Sequence, residues 1–142
     1  MIFDQTNPLL VAIISGAIVA IFAWFLHKIS EHRKEKLSKA AIMNLLNEGD
    51  ELLNKDMSKD ALVIYQTILK TTSKDDDPRI YGHIKNNLGI CYENFAQVND
   101  KEENHTKAIR AYEEALKIYT VEEYPLYHGI VSSNLGKAEA KR

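Results

Sequence analysis

The sequence predicts an all-α protein: a single N-terminal transmembrane helix followed by a superhelical array of about five helices packed as hairpins. Three observations carry this. Residues Pro8 to Leu26 form a 19-residue apolar run without a charge. From Ala40 onward, apolar residues recur at helical spacing, and short polar stretches separate the runs. Two segments then repeat at an offset of 47 residues: PRIYGHIKNNLG from Pro78 to Gly89, and PLYHGIVSSNLG from Pro125 to Gly136.

Residues 1–7 read as a short tail and residues 8–26 as the transmembrane helix. Nineteen helical residues span about 28 Å at 1.5 Å per residue, close to the hydrocarbon thickness of a bilayer. A buried soluble helix fits poorly, because nothing in the run provides a polar face. A cleaved signal peptide would need a basic region before the run and a small-x-small site after it. The preceding MIFDQTN has no Lys or Arg, and the following HKISEHRKEK holds the basic residues without such a site. An uncleaved anchor is therefore expected.

Residues 27–39 form a basic juxtamembrane segment, with Lys28, Arg33, Lys34, Lys36 and Lys39 against Glu31 and Glu35. Lys and Arg are retained on the cytoplasmic side, so the expected topology is single-pass, N-terminus outside and C-terminal domain cytoplasmic. A basic collar suits anionic headgroups, while the acidic remainder is held off them. Within the span, Ala12, Gly16, Ala20 and Ala23 share one face. Small residues let a second membrane helix approach closely, so a membrane-helix partner is expected there.

Residues 40–142 are expected to form the repeat domain. A first helix carries Ala41, Leu45, Leu46, Leu52 and Leu53 and ends near Lys55. Ser58 is expected to cap a second, with Ala61, Leu62, Tyr65, Ile68 and Leu69 on its face. TTSKDDDP at 71–78 is a break whose Pro78 starts a third helix carrying Ile80, Ile84, Leu88, Tyr92 and Phe95. NDKEEN at 99–104 is expected as a turn before a fourth helix with Ala108, Ile109, Tyr112, Ala115 and Leu116. Pro125 starts a fifth, carrying Ile130, Val131, Leu135 and Ala138.

The 47-residue offset extends beyond the two phrases. Ala61/Ala108, Tyr65/Tyr112 and Leu69/Leu116 keep it as well. Gly49 and Ala61 lie 12 apart, Gly89 and Ala108 19 apart. Small residues at both positions suit the close approach of two helices in a hairpin. The extra seven residues are about two helical turns, so the longer hairpin keeps its faces in phase.

These residues resemble the tetratricopeptide repeat family. Leu88, Gly89, Tyr92, Ala108, Tyr112, Ala115 and Pro125 follow its consensus in order; Leu45, Gly49, Leu52, Ala61, Tyr65 and Pro78 follow it more weakly, and Leu135 and Gly136 open a third unit. The resemblance covers residues 40–142. The family's usual period is 34, whereas here it is 40 between Gly49 and Gly89 and 47 between Gly89 and Gly136. The NNLG phrase is similar to longer variants of the kinesin light-chain type. A generic array of helical hairpins is the alternative.

The resemblance implies a ligand groove lined by the first helix of each pair. Mapped from Gly89, the inward positions are His83, Asn86, Asn87, Ile90, Glu93 and Asn94. Mapped from Gly49 they are Met43, Leu46, Asn47, Asp50, Leu53 and Asn54; from Gly136, Ile130, Ser133, Asn134, Lys137, Ala140 and Lys141. The expected partner-binding set is His83, Asn86, Asn87, Ile90, Glu93, Asn94, Asn134 and Lys137. An Asn amide both donates and accepts, so Asn87 and Asn134, one repeat apart, suit an extended peptide. The same Asn residues could equally solvate the face or bond neighbouring helices. The carboxylate clamp by which some family members hold chaperone C-termini is not expected: only Asn87 matches, and Leu46, Asp50, Ile130 and Asn134 stand at the other positions.

Other function classes find little support. There is no GxxxxGK[ST], HExxH, GxSxG or CxxC, and His27, His32, His83, His105 and His128 lack metal spacing. No catalytic, cofactor or metal residues are expected. A formal net charge of −2 argues against nucleic acid as a partner. Cys91, the only cysteine, excludes an intramolecular disulfide. The expected function is a membrane-anchored adaptor that binds a protein or peptide segment, an accessory or assembly subunit of a membrane complex. The alternative is a receptor for incoming or client proteins, similar in plan to the mitochondrial outer-membrane import receptor.

Overall fold

The computed structural model describes residues 19–25 and 38–141, and the chain divides into two compact units, Met1–Lys36 and Leu37–Arg142. In the first unit residues 19–25 are helical with exposed side chains. Among the described residues no helix is long and apolar enough to cross a membrane. Most of the expected span at 8–26, with Ala12 and Gly16 of its small face, and all but the end of the basic segment at 27–39 lie outside the described residues.

The second unit is all-helical: α1 (Lys39–Asn54), α2 (Ser58–Leu69), α3 (Pro78–Ala96), α4 (Lys101–Leu116) and α5 (Pro125–Lys141). The starts follow local chemistry. The Ser38 hydroxyl accepts from the Ala41 amide at 3.2 Å and caps α1. Asp77 caps α3 by accepting from the Ile80 amide at 3.2 Å, ahead of Pro78 in the first helical turn. Asp56 and Asp100 take the left-handed conformation, φ 60° and 40°, in the tight turns after α1 and before α4. Asp is one of the few non-glycine residues that visits this region readily.

Two starts differ from the sequence expectation. Ser58 lies inside α2 rather than capping it, and its buried hydroxyl accepts from Asn94 Nδ2 at 2.8 Å. A partner across the helix pair outcompetes the local capping bond. The turn expected at 99–104 is shorter, because α4 already begins at Lys101. Asn104 is buried within the helix, and its Nδ2 donates to the Asn99 carbonyl at 2.9 Å.

Consecutive helices pack as adjacent pairs. In addition α1 touches α3 and α3 touches α5, whereas α2 and α4 do not meet. One row, α1–α3–α5, is therefore drawn together and the other splayed, which curves the stack toward the first row. Leu46, Ala61, Tyr65, Ile68, Ile84, Leu88 and Cys91 fill the core between α1, α2 and α3. Ala108, Ile109, Tyr112, Ala115, Tyr119, Val131 and Ala138 fill the core on the other side of α4. A fully buried Ile68 or Ile84 contributes about 1.5–3 kcal/mol relative to exposure.

The glycines mark where the pairs close. A Cβ on Gly49 would lie 2.8 Å from Tyr65 Cε1, one on Gly89 2.6 Å from Tyr112 Cζ, and one on Gly82 2.9 Å from Tyr119 Cζ. A tyrosine ring thus lies against bare backbone of the first helix each time, Tyr65 and Tyr112 from the second helix of the pair and Tyr119 from the turn after it. The alanines at 61 and 108 are fully buried in the same hairpins. The ring, rather than an alanine, is what a side chain at the glycine would meet.

Candidate partner-binding face

Asp50 of α1 is a half-buried hub on the drawn-together row. Tyr65 Oη of α2 donates to its Oδ1 at 2.7 Å, and Asn87 Nδ2 of α3 donates to the same oxygen at 2.9 Å. His83 Nε2 lies 3.0 and 2.9 Å from the two carboxylate oxygens. Burial alone would raise the Asp50 carboxyl, but the bonds from His83, Tyr65 and Asn87 and the His83 charge together hold it below the usual aspartate value. Burial and the Asp50 carboxylate push the Tyr65 hydroxyl far up, so it remains a donor.

The network continues across the row. Asn86 Nδ2 donates to Asn87 Oδ1 at 2.9 Å, and Asn134 Nδ2 of α5 donates to Asn86 Oδ1 at 3.1 Å. One chain of side-chain amides therefore links α5 to α3 and α1. One repeat on, a shorter version recurs: Tyr112 Oη donates to Glu93 Oε2 at 2.7 Å, and Lys141 Nζ donates to Glu93 Oε1 at 3.0 Å. In both, a core tyrosine, a carboxylate on the first helix and a basic side chain from the next first helix form one unit.

This places the expected site residues. His83, Asn86, Asn87 and Asn134 belong to the Asp50 network, Glu93 to the Tyr112 unit, and Asn94 is bonded to Ser58. Ile90 packs against the core beside α4. Lys137 is exposed. Asn87, read from its register as an open groove position, is buried at 7% exposure, because the curvature brings α1 and α3 together over it. Its amide joins helices, which is the other role open to it in the sequence.

The open space on this side lies one helical turn nearer the N-termini. A cavity of about 350 Å³ is lined by Lys39, Met43 and Leu46 of α1, by Asp77, Arg79, Ile80 and His83 at the start of α3, and by Tyr119, Tyr124 and Tyr127. Of the expected partner-binding set only His83 reaches it; Met43 and Leu46, mapped from Gly49, also do. Tyr119 is buried between Tyr127, stacked at 5.0 Å, and Tyr124, edge-on at 5.5 Å, and its Oη donates to the Arg79 carbonyl at 2.9 Å. Burial first, then the neighbouring Tyr127, pushes the Tyr119 hydroxyl up to about 12. The floor is aliphatic and aromatic, and Lys39, Arg79 and His83 give the rim basic groups beside Asp77.

Sequence reasoning missed Arg79, Tyr119, Tyr124 and Tyr127. Ile80 and Tyr127 keep the 47-residue offset, so extending the inward register one turn toward Pro78 and Pro125 would have found two of the lining residues. Tyr119 and Tyr124 lie outside the duplicated phrase and carried no such signal. No family model, curated protein or solved structure matches this chain.

Proposed function

We propose that the chain is a membrane-anchored, cytoplasm-facing adaptor of the tetratricopeptide repeat type, an accessory or assembly subunit of a membrane protein complex. The tyrosine-lined cavity between the N-terminal ends of α1, α3 and α5 carries this reading. Its floor of Leu46, Ile80 and Tyr119 suits one apolar or aromatic side chain, and Lys39 and Arg79 on the rim suit an acidic neighbour of that residue. A partner segment presenting an aromatic residue beside a carboxylate would match both features. Asp50, Asn87, Asn86 and Asn134 serve this function indirectly, by fixing the spacing of the three helices that wall the cavity. The uncharged run at 8–26 would hold the domain at the bilayer, and the basic residues after it would orient it.

The test uses the full-length chain in its native membrane, with photoreactive benzoylphenylalanine in place of Tyr127, a residue that is 48% exposed at the cavity. Irradiation is expected to cross-link one protein in near-stoichiometric yield, and Arg79→Glu is expected to weaken that association by about tenfold through charge reversal at the rim. Recovery of a partner by affinity purification that never cross-links from position 127 would remove the cavity from the argument. Cross-linking to many client proteins at low yield would instead mark a receptor.

A further inference from the structure

We propose that His83 makes the cavity selective for tyrosine over phenylalanine, by presenting a ring nitrogen with a free lone pair to the phenol hydroxyl of the incoming side chain. This inference rests on the cavity reading above and names the aromatic residue that the reading left open.

The hydrogen on the His83 ring is placed by its neighbours. Nε2 lies 3.0 and 2.9 Å from the two oxygens of Asp50, and a carboxylate can only accept. Asn87 Nδ2 lies 3.1 Å from Nε2 as well, but its two hydrogens are taken. One goes to Asp50 Oδ1 at 2.9 Å and the other to Tyr65 Oη at 3.1 Å. The Tyr65 hydroxyl can receive it because its own hydrogen goes to Asp50. The hydrogen of the neutral imidazole is therefore on Nε2, and Nδ1 carries the lone pair. Asp50 is a positioning residue here, since it fixes both the tautomer and the direction of the ring.

Nδ1 is an acceptor in search of a donor. No hydrogen bond within the described residues reaches it, yet it is not shut inside the protein: the enclosed side-chain atoms without a partner are Thr72 Oγ1 and His105 Nδ1. The His83 side chain is 35% exposed and lines the cavity with Leu46, Ile80 and Tyr119. It stands four residues beyond Arg79 on α3, about 6 Å further along the helix axis. A residue whose acidic neighbour meets Arg79 at the rim would direct its ring down that distance, which is the reach of a tyrosine side chain from backbone to hydroxyl. The hydroxyl would then donate to Nδ1. A phenylalanine in the same place would strip water from Nδ1 and give it no hydrogen, which costs free energy.

The probes are acetyl-Asp-Tyr-Asp-amide and acetyl-Asp-Phe-Asp-amide, titrated into the full-length chain in detergent at about pH 8, above the ordinary imidazole value of about 6.5. Methyl NMR signals of Leu46 and Ile80 report occupancy of the cavity, and the ring-nitrogen signals of His83 report its tautomer. The tyrosine peptide is expected to bind about three- to tenfold more tightly and to move the Nδ1 signal toward that of a hydrogen-bonded acceptor, which the phenylalanine peptide does not do. Asp50→Asn offers an amide hydrogen to Nε2, so it is expected to transfer the ring hydrogen to Nδ1 and to abolish the preference. Equal affinity for the two peptides, with Leu46 and Ile80 shifting for both, would overturn the role of His83 and leave the cavity reading in place. So would a ring hydrogen on Nδ1 in the wild type, or a preference that survives in Asp50→Asn after the hydrogen has moved. The wild-type measurements decide the matter whether or not that variant folds. If neither peptide shifts Leu46 and Ile80, the cavity reading falls and this inference falls with it.

Discussion

The ring of Tyr112 lies where a side chain on Gly89 would have to be. A Cβ there would sit 2.6 Å from Tyr112 Cζ, and the helix behind the ring is held in turn by the bond from Tyr112 Oη to Glu93, one turn along the same helix as Gly89. The glycine and the carboxylate thus receive the two ends of one tyrosine. In the preceding hairpin Gly49 and Asp50, adjacent in the chain, likewise receive the ring and the hydroxyl of Tyr65.

This relationship predicts opposite responses at two glycines that look alike in sequence. Gly89→Ala should destabilise by about 1–3 kcal/mol, because the ring is pinned at both ends and cannot retreat. Gly136→Ala, where nothing among the described residues lies within 4 Å of the new Cβ, should stabilise by about 0.5–1 kcal/mol through helix propensity alone. Thermal unfolding of the two variants checks the signs, and equal shifts would mean that the two faces are equally covered.

Asn87→Ala should cost about 1–3 kcal/mol, since it removes a buried amide and leaves Asp50 and Asn86 short of partners. Asn134→Ala removes one bond from a half-buried residue to Asn86 and should cost less, about 0.5–1.5 kcal/mol. Urea titration of each single variant orders them. A nearly neutral Asn87→Ala would return this residue to the role of a free ligand group.

Asp50 predicts a pH dependence. Its carboxyl is held lower in the folded protein than in the unfolded chain, where an aspartate titrates near about 3.9. The carboxylate therefore contributes stability that is fully present above that value and is lost as pH falls through the lower folded value. Between pH 7 and pH 3 the wild type should lose more stability than Asp50→Asn, which has no such carboxylate to protonate. Parallel losses in chemical denaturation across that range would remove Asp50 as the source.

Topology gives a cellular prediction. The basic residues Lys28, Arg33, Lys34, Lys36 and Lys39 follow the apolar run, so residues 40–142 should resist protease added to intact cells or organelles and be digested after permeabilisation. Digestion without permeabilisation would reverse the orientation. In the same membranes, Gly16→Ile should reduce recovery of co-purifying partners in mild detergent while leaving insertion intact, because it places a branched side chain on the small-residue face.

The sequence by itself determined the helical plan. Pro78 and Pro125 could start helices because each lacks the amide that a first turn leaves unpaired, and both do so. The 47-residue offset already paired Tyr65 with Tyr112 and marked Gly49 and Gly89 as points of close approach, since local spacing is written in the chain. What only the tertiary structure decided was which polar residues were still free. Asn87 and Asn134 occupy the same register, yet one is buried and the other is not, because α3 has a neighbour on each side whereas, among the described residues, α5 is flanked by α3 and α4 alone. The cavity was equally beyond sequence reading, since Met43, Ile80, Tyr119 and Tyr127 lie on four separate stretches brought together only by the curvature of the stack. Periodicity reports the face of a helix on which a residue lies; the packing of neighbours decides whether that face meets water, another helix or a partner.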